Sequence, residues 1–117
     1  MFSFLVTDRH LAPLRDRGLS WEGDHKVRFY RPDSVVSSPK QLEHSLHLAI
    51  FAVKGDGLTR AIAQWKPVLT RQTWVLSLLN GVGNGRVLQE ALPESRILDG
   101  CVYVGARQPE PGRVVWE

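Results

Sequence analysis

The second half of this chain switches period again and again. "LHLAIFAV" (Leu46–Val53) is short and almost wholly apolar, and "GLTRAIAQWKPVL" follows it with Leu58, Ala61, Ile62, Trp65 and Leu69 at helical spacing. "TWVLSLL" is short and apolar again. "NGRVLQEAL" is helical again, with Val87, Leu88, Ala91 and Leu92 expected to point inward and Pro93 to close it. A strand of nearly uninterrupted apolar residues suits a parallel sheet covered on both faces. Strands alternating with helices through short connections build such a sheet. The expected fold is therefore α/β, with a mostly parallel sheet flanked by helices.

The flanking segments extend the pattern. "FSFLVT" (Phe2–Thr7) predicts a buried strand, and "DRHLAPLRDRG" a helix with Leu11 and Leu14 on one face and Gly18 as its stop. Pro13 lacks an N–H, which places the start of that helix near His10, where the missing donor would have no partner anyway. "LSWEG" and "KVRFY" read as a hairpin split at Gly23-Asp24. "RPDSVVSSPKQLEHS" reads as a polar connector with one helical turn after Pro39. "RILDGCVYVGA" and "GRVVWE" are expected to be strands, with Cys101 a buried small hydrophobe.

Composition excludes several functions. With 117 residues the chain is expected to form one domain, and 43% hydrophobic against 23% charged residues is ordinary globular material. The formal charge is only +3, and Lys and Arg are scattered among acids, which argues against a nucleic-acid surface. One cysteine rules out an internal disulfide and any multi-cysteine metal site, and the four histidines show no ligand spacing, so no metal is expected. No signal peptide or membrane span is legible, which points to a cytoplasmic protein without membrane partners.

"LLNGVGNG" places Gly81, Gly83 and Gly85 at alternate positions after a buried strand and before a helix. A dinucleotide fingerprint reads G-x-G-x-x-G and follows the first strand. Here Arg86 stands where the last glycine belongs, and the loop follows a late strand. It is not the pyrophosphate loop. The first strand instead ends in Thr7-Asp8-Arg9, which is how the second strand of a dinucleotide fold ends at the ribose. An arginine there suits a 2′-phosphate, because its fork can make two charge-assisted hydrogen bonds.

"FLVTDRHLAPLRDRGL", "LAIFAVKGDGLTRAI", "SLLNGVGN" and "ILDGCVYVGARQPEPGRV", in this order and spacing, resemble the N-terminal domain of ketopantoate reductases, the 2-dehydropantoate 2-reductases. The resemblance covers essentially all of residues 1–117 and implies a Rossmann-like NADP-binding domain. It implies NADPH-dependent reduction of ketopantoate to pantoate on the way to pantothenate, with a small 2-keto acid as substrate. Carried over by position, it makes Arg9 the residue that meets the 2′-phosphate. It puts Lys54 near the cofactor, Asn80 at the nicotinamide and the substrate, and Ala106 on a backbone stretch lining the cofactor.

Against the family pattern, the glycine-rich loop before Phe2 and the helical C-terminal domain with its proton-donating lysine are absent from residues 1–117. The domain is thus expected to be partial, with no catalytic residue of its own and weak or no NADP binding in isolation. Two strands are expected to lack a neighbour, which predicts a homo-oligomer. The alternative is a non-catalytic remnant, a nucleotide-binding or oligomerisation module.

Overall fold

The computed structural model describes residues 1–117 and divides them into two compact units, Met1–Gln41 with Tyr103–Glu117, and Leu42–Val102. No helix is long and apolar enough to cross a membrane. Of the six strand pairings four are parallel, so the mixed α/β, mostly parallel character expected from the sequence holds. The strands are, however, distributed over three small sheets rather than one.

In the first unit, β1 (Ser3–Leu5) is followed by α1 (Asp8–Arg17). The helix begins two residues earlier than Pro13 suggested. The pyrrolidine costs the Arg9 carbonyl its helical donor, and Arg9 is exposed, so water can supply the loss. Gly18 ends α1 at φ 74°, its N–H bonded to the Leu14 carbonyl at 2.9 Å; a side chain there would meet the Tyr30 carbonyl. The stretch expected to be a polar connector contains a strand, β4 (Ser34–Val36), parallel to β1. Val35 and Val36 are buried under α1, and Ser3 and Ser34 hydroxyls meet at 2.6 Å across the ladder. The turn expected after Pro39 is present as a short 3-10 helix, Pro39–Gln41.

Strands β2 (Leu19–Gly23) and β3 (Lys26–Tyr30) form the expected hairpin, but its turn sits on Asp24 and His25, not on Gly23-Asp24. Both turn residues have positive φ, 49° and 60°, the primed geometry that matches strand twist. Gly23 stays in the strand because Trp116 lies over it. β9 (Arg113–Trp116) runs parallel to β2, and a strand the sequence did not announce, β8 (Ala106–Glu110), pairs antiparallel with β9. Trp21 lies in β2 of this sheet. It stacks on Trp116 with ring centroids 5.6 Å apart, while Arg28 covers its other surroundings at 5.5 Å. Arg113 grips Glu22 with two hydrogen bonds, 2.8 and 3.1 Å, and this holds the Glu22 carboxyl below the usual carboxylate range.

The second unit is the βαβαβ pattern read from the sequence. β5 (Leu48–Phe51), α2 (Leu58–Trp65), β6 (Trp74–Ser77), α3 (Asn84–Ala91) and β7 (Arg96–Asp99) give a parallel sheet in the order β5-β6-β7. Its core is Phe51, Leu58, Ile62, Val75, Leu79, Leu88 and Leu92. Trp65 is buried as well, as packing required, whereas Val87 is turned outward and 40% exposed. The strands are covered on one face only. Ala49 and Phe51 are buried while Leu48 and Ile50, with Trp74 and Leu98 in the neighbouring strands, remain exposed on the other. The expectation of cover on both faces therefore fails. β7 also stops at Asp99. Gly100 donates to the Ser77 carbonyl at 2.8 Å, then the chain leaves the sheet, so Cys101 is exposed rather than buried.

Candidate functional site

Parallel strands present their C-terminal ends on one edge of a sheet, and α/β proteins bind ligands outside that edge. In the Leu42–Val102 unit this edge carries Lys54, three residues past β5, and Asn80, three residues past β6. β5 and β6 are hydrogen-bonded neighbours, so the fold brings these two expected site residues to one edge of one sheet.

Lys54 is exposed and precedes a 3-10 turn, Gly55–Gly57, that leads into α2. Its carbonyl accepts the Gly57 N–H at 2.8 Å, which fixes the backbone, while its ammonium has no partner in the chain. That leaves a cation available to an anionic ligand.

The Asn80 loop is anchored from below. Ser77 is fully buried and its hydroxyl accepts the Leu79 N–H at 3.4 Å. The Leu78 N–H reaches the Phe51 carbonyl at 3.0 Å, tying the strand end to β5. Above this base the chain turns through Gly81 and Gly83, at φ 96° and 88°, a region that strongly favours glycine. No atom lies within 4 Å of where a side chain would stand on either. A ligand could thus approach the backbone directly. Asn84 donates its side-chain amide to the Asn80 carbonyl at 3.1 Å, which leaves the Asn80 amide itself free to recognise a carbonyl group.

The helix that follows does not offer an open anion cradle. Gly83 supplies no side-chain cap to α3, and the Asp99 carboxylate at the end of β7 lies against Gly85 in the first turn of the helix. Sequence reading passed over Asp99. The signal was Gly85 itself, a poor helix former inside a helix, which marks a close approach.

The other two expected residues belong to the other unit. Arg9 is the second residue of α1, exposed, and takes part in none of the chain's ion pairs or side-chain hydrogen bonds, so pairing with Asp8 does not occupy it. Ala106 opens β8 opposite Trp116 and is exposed. Arg9 follows the two-stranded sheet and Ala106 lies in the four-stranded one, so within that unit the fold does not join them in one sheet. No group of histidines, cysteines and carboxylates could hold a metal ion.

Comparison with known proteins finds relatives along nearly the whole chain. The family described as ketopantoate reductase PanE/ApbA matches residues 2–117. A 2-dehydropantoate 2-reductase of Halobacterium salinarum is 35% identical over 109 residues, 90% of this chain and 34% of that protein. Among solved structures, a PanE/ApbA family ketopantoate reductase from Ralstonia eutropha superposes with a TM-score of 0.85 at 28% identity, over 97% of this chain and 37% of that one. A D-mandelate dehydrogenase solved with NADH and anilino(oxo)acetate shares the fold, with a TM-score of 0.85 at 22% identity, over 98% of this chain and 37% of that one. The chain spans about a third of the length of the curated relatives it matches.

Proposed function

The chain belongs to the ketopantoate reductase PanE/ApbA family, and from that membership we propose that residues 1–117 are a partial NADP-binding, Rossmann-like domain of an oxidoreductase that reduces a 2-keto acid, ketopantoate being the family's substrate. The observation that carries this reading is the shared strand edge with Lys54 and Asn80 on it, next to left-handed glycines with open space above them. Bound NADPH would supply the hydride. The chain's own part is recognition. Asn80 can donate a hydrogen bond to a carbonyl oxygen and so orient it, and Lys54 draws anionic groups to the edge. Arg9 is suited to the 2′-phosphate that distinguishes NADPH from NADH.

The fold alone does not choose between the two nucleotides, since the D-mandelate dehydrogenase of the same fold was solved with NADH. In our reading Arg9 makes the choice. Any affinity of the chain should favour NADPH, and Arg9→Ala should erase most of that preference. A charged hydrogen bond contributes about 1.5–3 kcal/mol, or roughly 10- to 150-fold in affinity. Calorimetric titration with both nucleotides checks this. Equal affinity in the parent chain would remove Arg9 from the site.

A second reading, a nucleotide-binding or oligomerisation module without catalysis, is favoured by the open strand edges of β1 and β5. We also propose that the chain self-associates. β1 is bonded only to β4 and β5 only to β6, so each leaves one edge of N–H and C=O groups open to another chain. Sedimentation should show a dimer or larger species. A monodisperse monomer with slow amide exchange along both β1 and β5 would contradict it.

A further inference from the structure

Two residues far apart in sequence, Gly85 and Asp99, are fitted to each other in a way the proposed site does not itself demand. Asp99 ends β7 and stands opposite Ser77 in the ladder with β6. Gly85 is the second residue of α3, the helix that the Asn80–Gly83 loop enters. The Asp99 carboxyl carbon is 2.7 Å from the position a Gly85 side chain would take, and one of its oxygens is nearer still. A helix tolerates glycine poorly, and any side chain at position 85 would have to displace this exposed carboxylate.

The first N–H groups of α3 have no partner within the helix, and the N-cap residue, Gly83, has no side chain to offer them. Asp99 brings a negative charge to that positive end without making a hydrogen bond or an ion pair, an interaction of charge with dipole. Helix N-termini also attract phosphate. Asp99, itself exposed, sets a carboxylate beside the first turn of α3.

We infer that Asp99 is a positioning residue. Its carboxylate fixes the start of α3, and with it the Asn80–Gly83 loop, while keeping outside anions off the helix end. The positioning role rests on the proposal that this loop is the binding site; the contact between Asp99 and Gly85 does not.

The test uses the 117-residue chain with assigned backbone amides. In Asp99→Asn, amide exchange at Arg86 and Val87 should quicken about two- to fivefold, with the amides of β5 and β6 unchanged as a control on folding. Inorganic phosphate at low ionic strength should shift the Asn84–Arg86 amides in Asp99→Asn and leave the parent chain unmoved. Gly85→Ala should disturb the Asn80–Gly83 amides, and Asp99→Ala added to it should restore them, because the collision is with that one carboxylate. A merely structural contact would not produce the gain of a phosphate response. The inference is overturned by a phosphate response equal in both proteins or absent from both. It is equally overturned by a double variant no better than Gly85→Ala alone. NADPH added to the parent chain separates the two ideas. If the Asn80 amide does not move, the site reading fails while the exchange and phosphate results still judge Asp99 as the cap of α3.

Discussion

Leu88→Ala should weaken the Leu42–Val102 unit by about 2–5 kcal/mol, the range for emptying a buried leucine site. Leu88 is completely buried, one of seven buried side chains of this core, against which Ala61, Leu69, Ala91 and Ile97 also pack. Small domains have roughly 5–15 kcal/mol of stability in total, and a loss of this size would leave α3 frayed and the Asn80 loop unsupported. Val87, one position earlier and 40% exposed, provides the contrast. Val87→Ala should cost less than about 1 kcal/mol, as surface substitutions generally do. Urea unfolding followed by circular dichroism checks the pair, through a large fall in midpoint for Leu88→Ala and a small one for Val87→Ala. Equal shifts would mean that α3 does not pack as described.

The contrast also shows where sequence reading works. Helical spacing put Val87 and Leu88 together on the inner face, because two adjacent apolar residues both fall within a wide stripe. Only the sheet's position decides which of the two is inward. The βαβαβ order was legible because each element carries its own period and each junction its own punctuation. β4 and β8 were not. "SVV" is three residues in a polar setting, too short to show alternation. "ARQPE" contains a proline and no apolar face, and is a strand only because β9 offers it an edge. Conversely "CVYV" has every local preference for a strand and is exposed and unpaired, since Gly100 is held to Ser77 and the ladder ends there. Pairing is a long-range fact that local composition does not contain.

The candidate site divides in the same way. Lys54 and Asn80 lie at strand ends, and strand ends can be located from a chain of alternating elements. Arg9 could be located for the same reason, and its freedom from ion pairs is what the structure adds. Asp99 escaped because its role depends on a glycine fourteen residues earlier, brought to it by the βαβ crossover. The three-sheet arrangement likewise follows from pairing partners that single stretches do not announce.

The polypeptide of residues 1–117, purified alone, is expected not to reduce ketopantoate at a useful rate. Carbonyl reduction requires the carbonyl to be held, water to be kept away and a proton to reach the developing alkoxide. Asn80 can meet the first need. The second is unmet, for Asn80, Gly81 and Val82 are exposed, Val82 fully so. For the third, Lys54 is the lysine at the strand edge, and it is exposed, with no partner in the chain to hold its ammonium in place. A positioned general acid contributes about 10²–10⁴-fold, and loss of water exclusion compounds the deficit. Against the ~10 s⁻¹ typical of enzymes, turnover should therefore fall below roughly 0.1 s⁻¹. Mixed with NADPH and ketopantoate, the chain should consume reduced nicotinamide no faster than a control without protein. Turnover near the enzymatic norm would overturn this expectation.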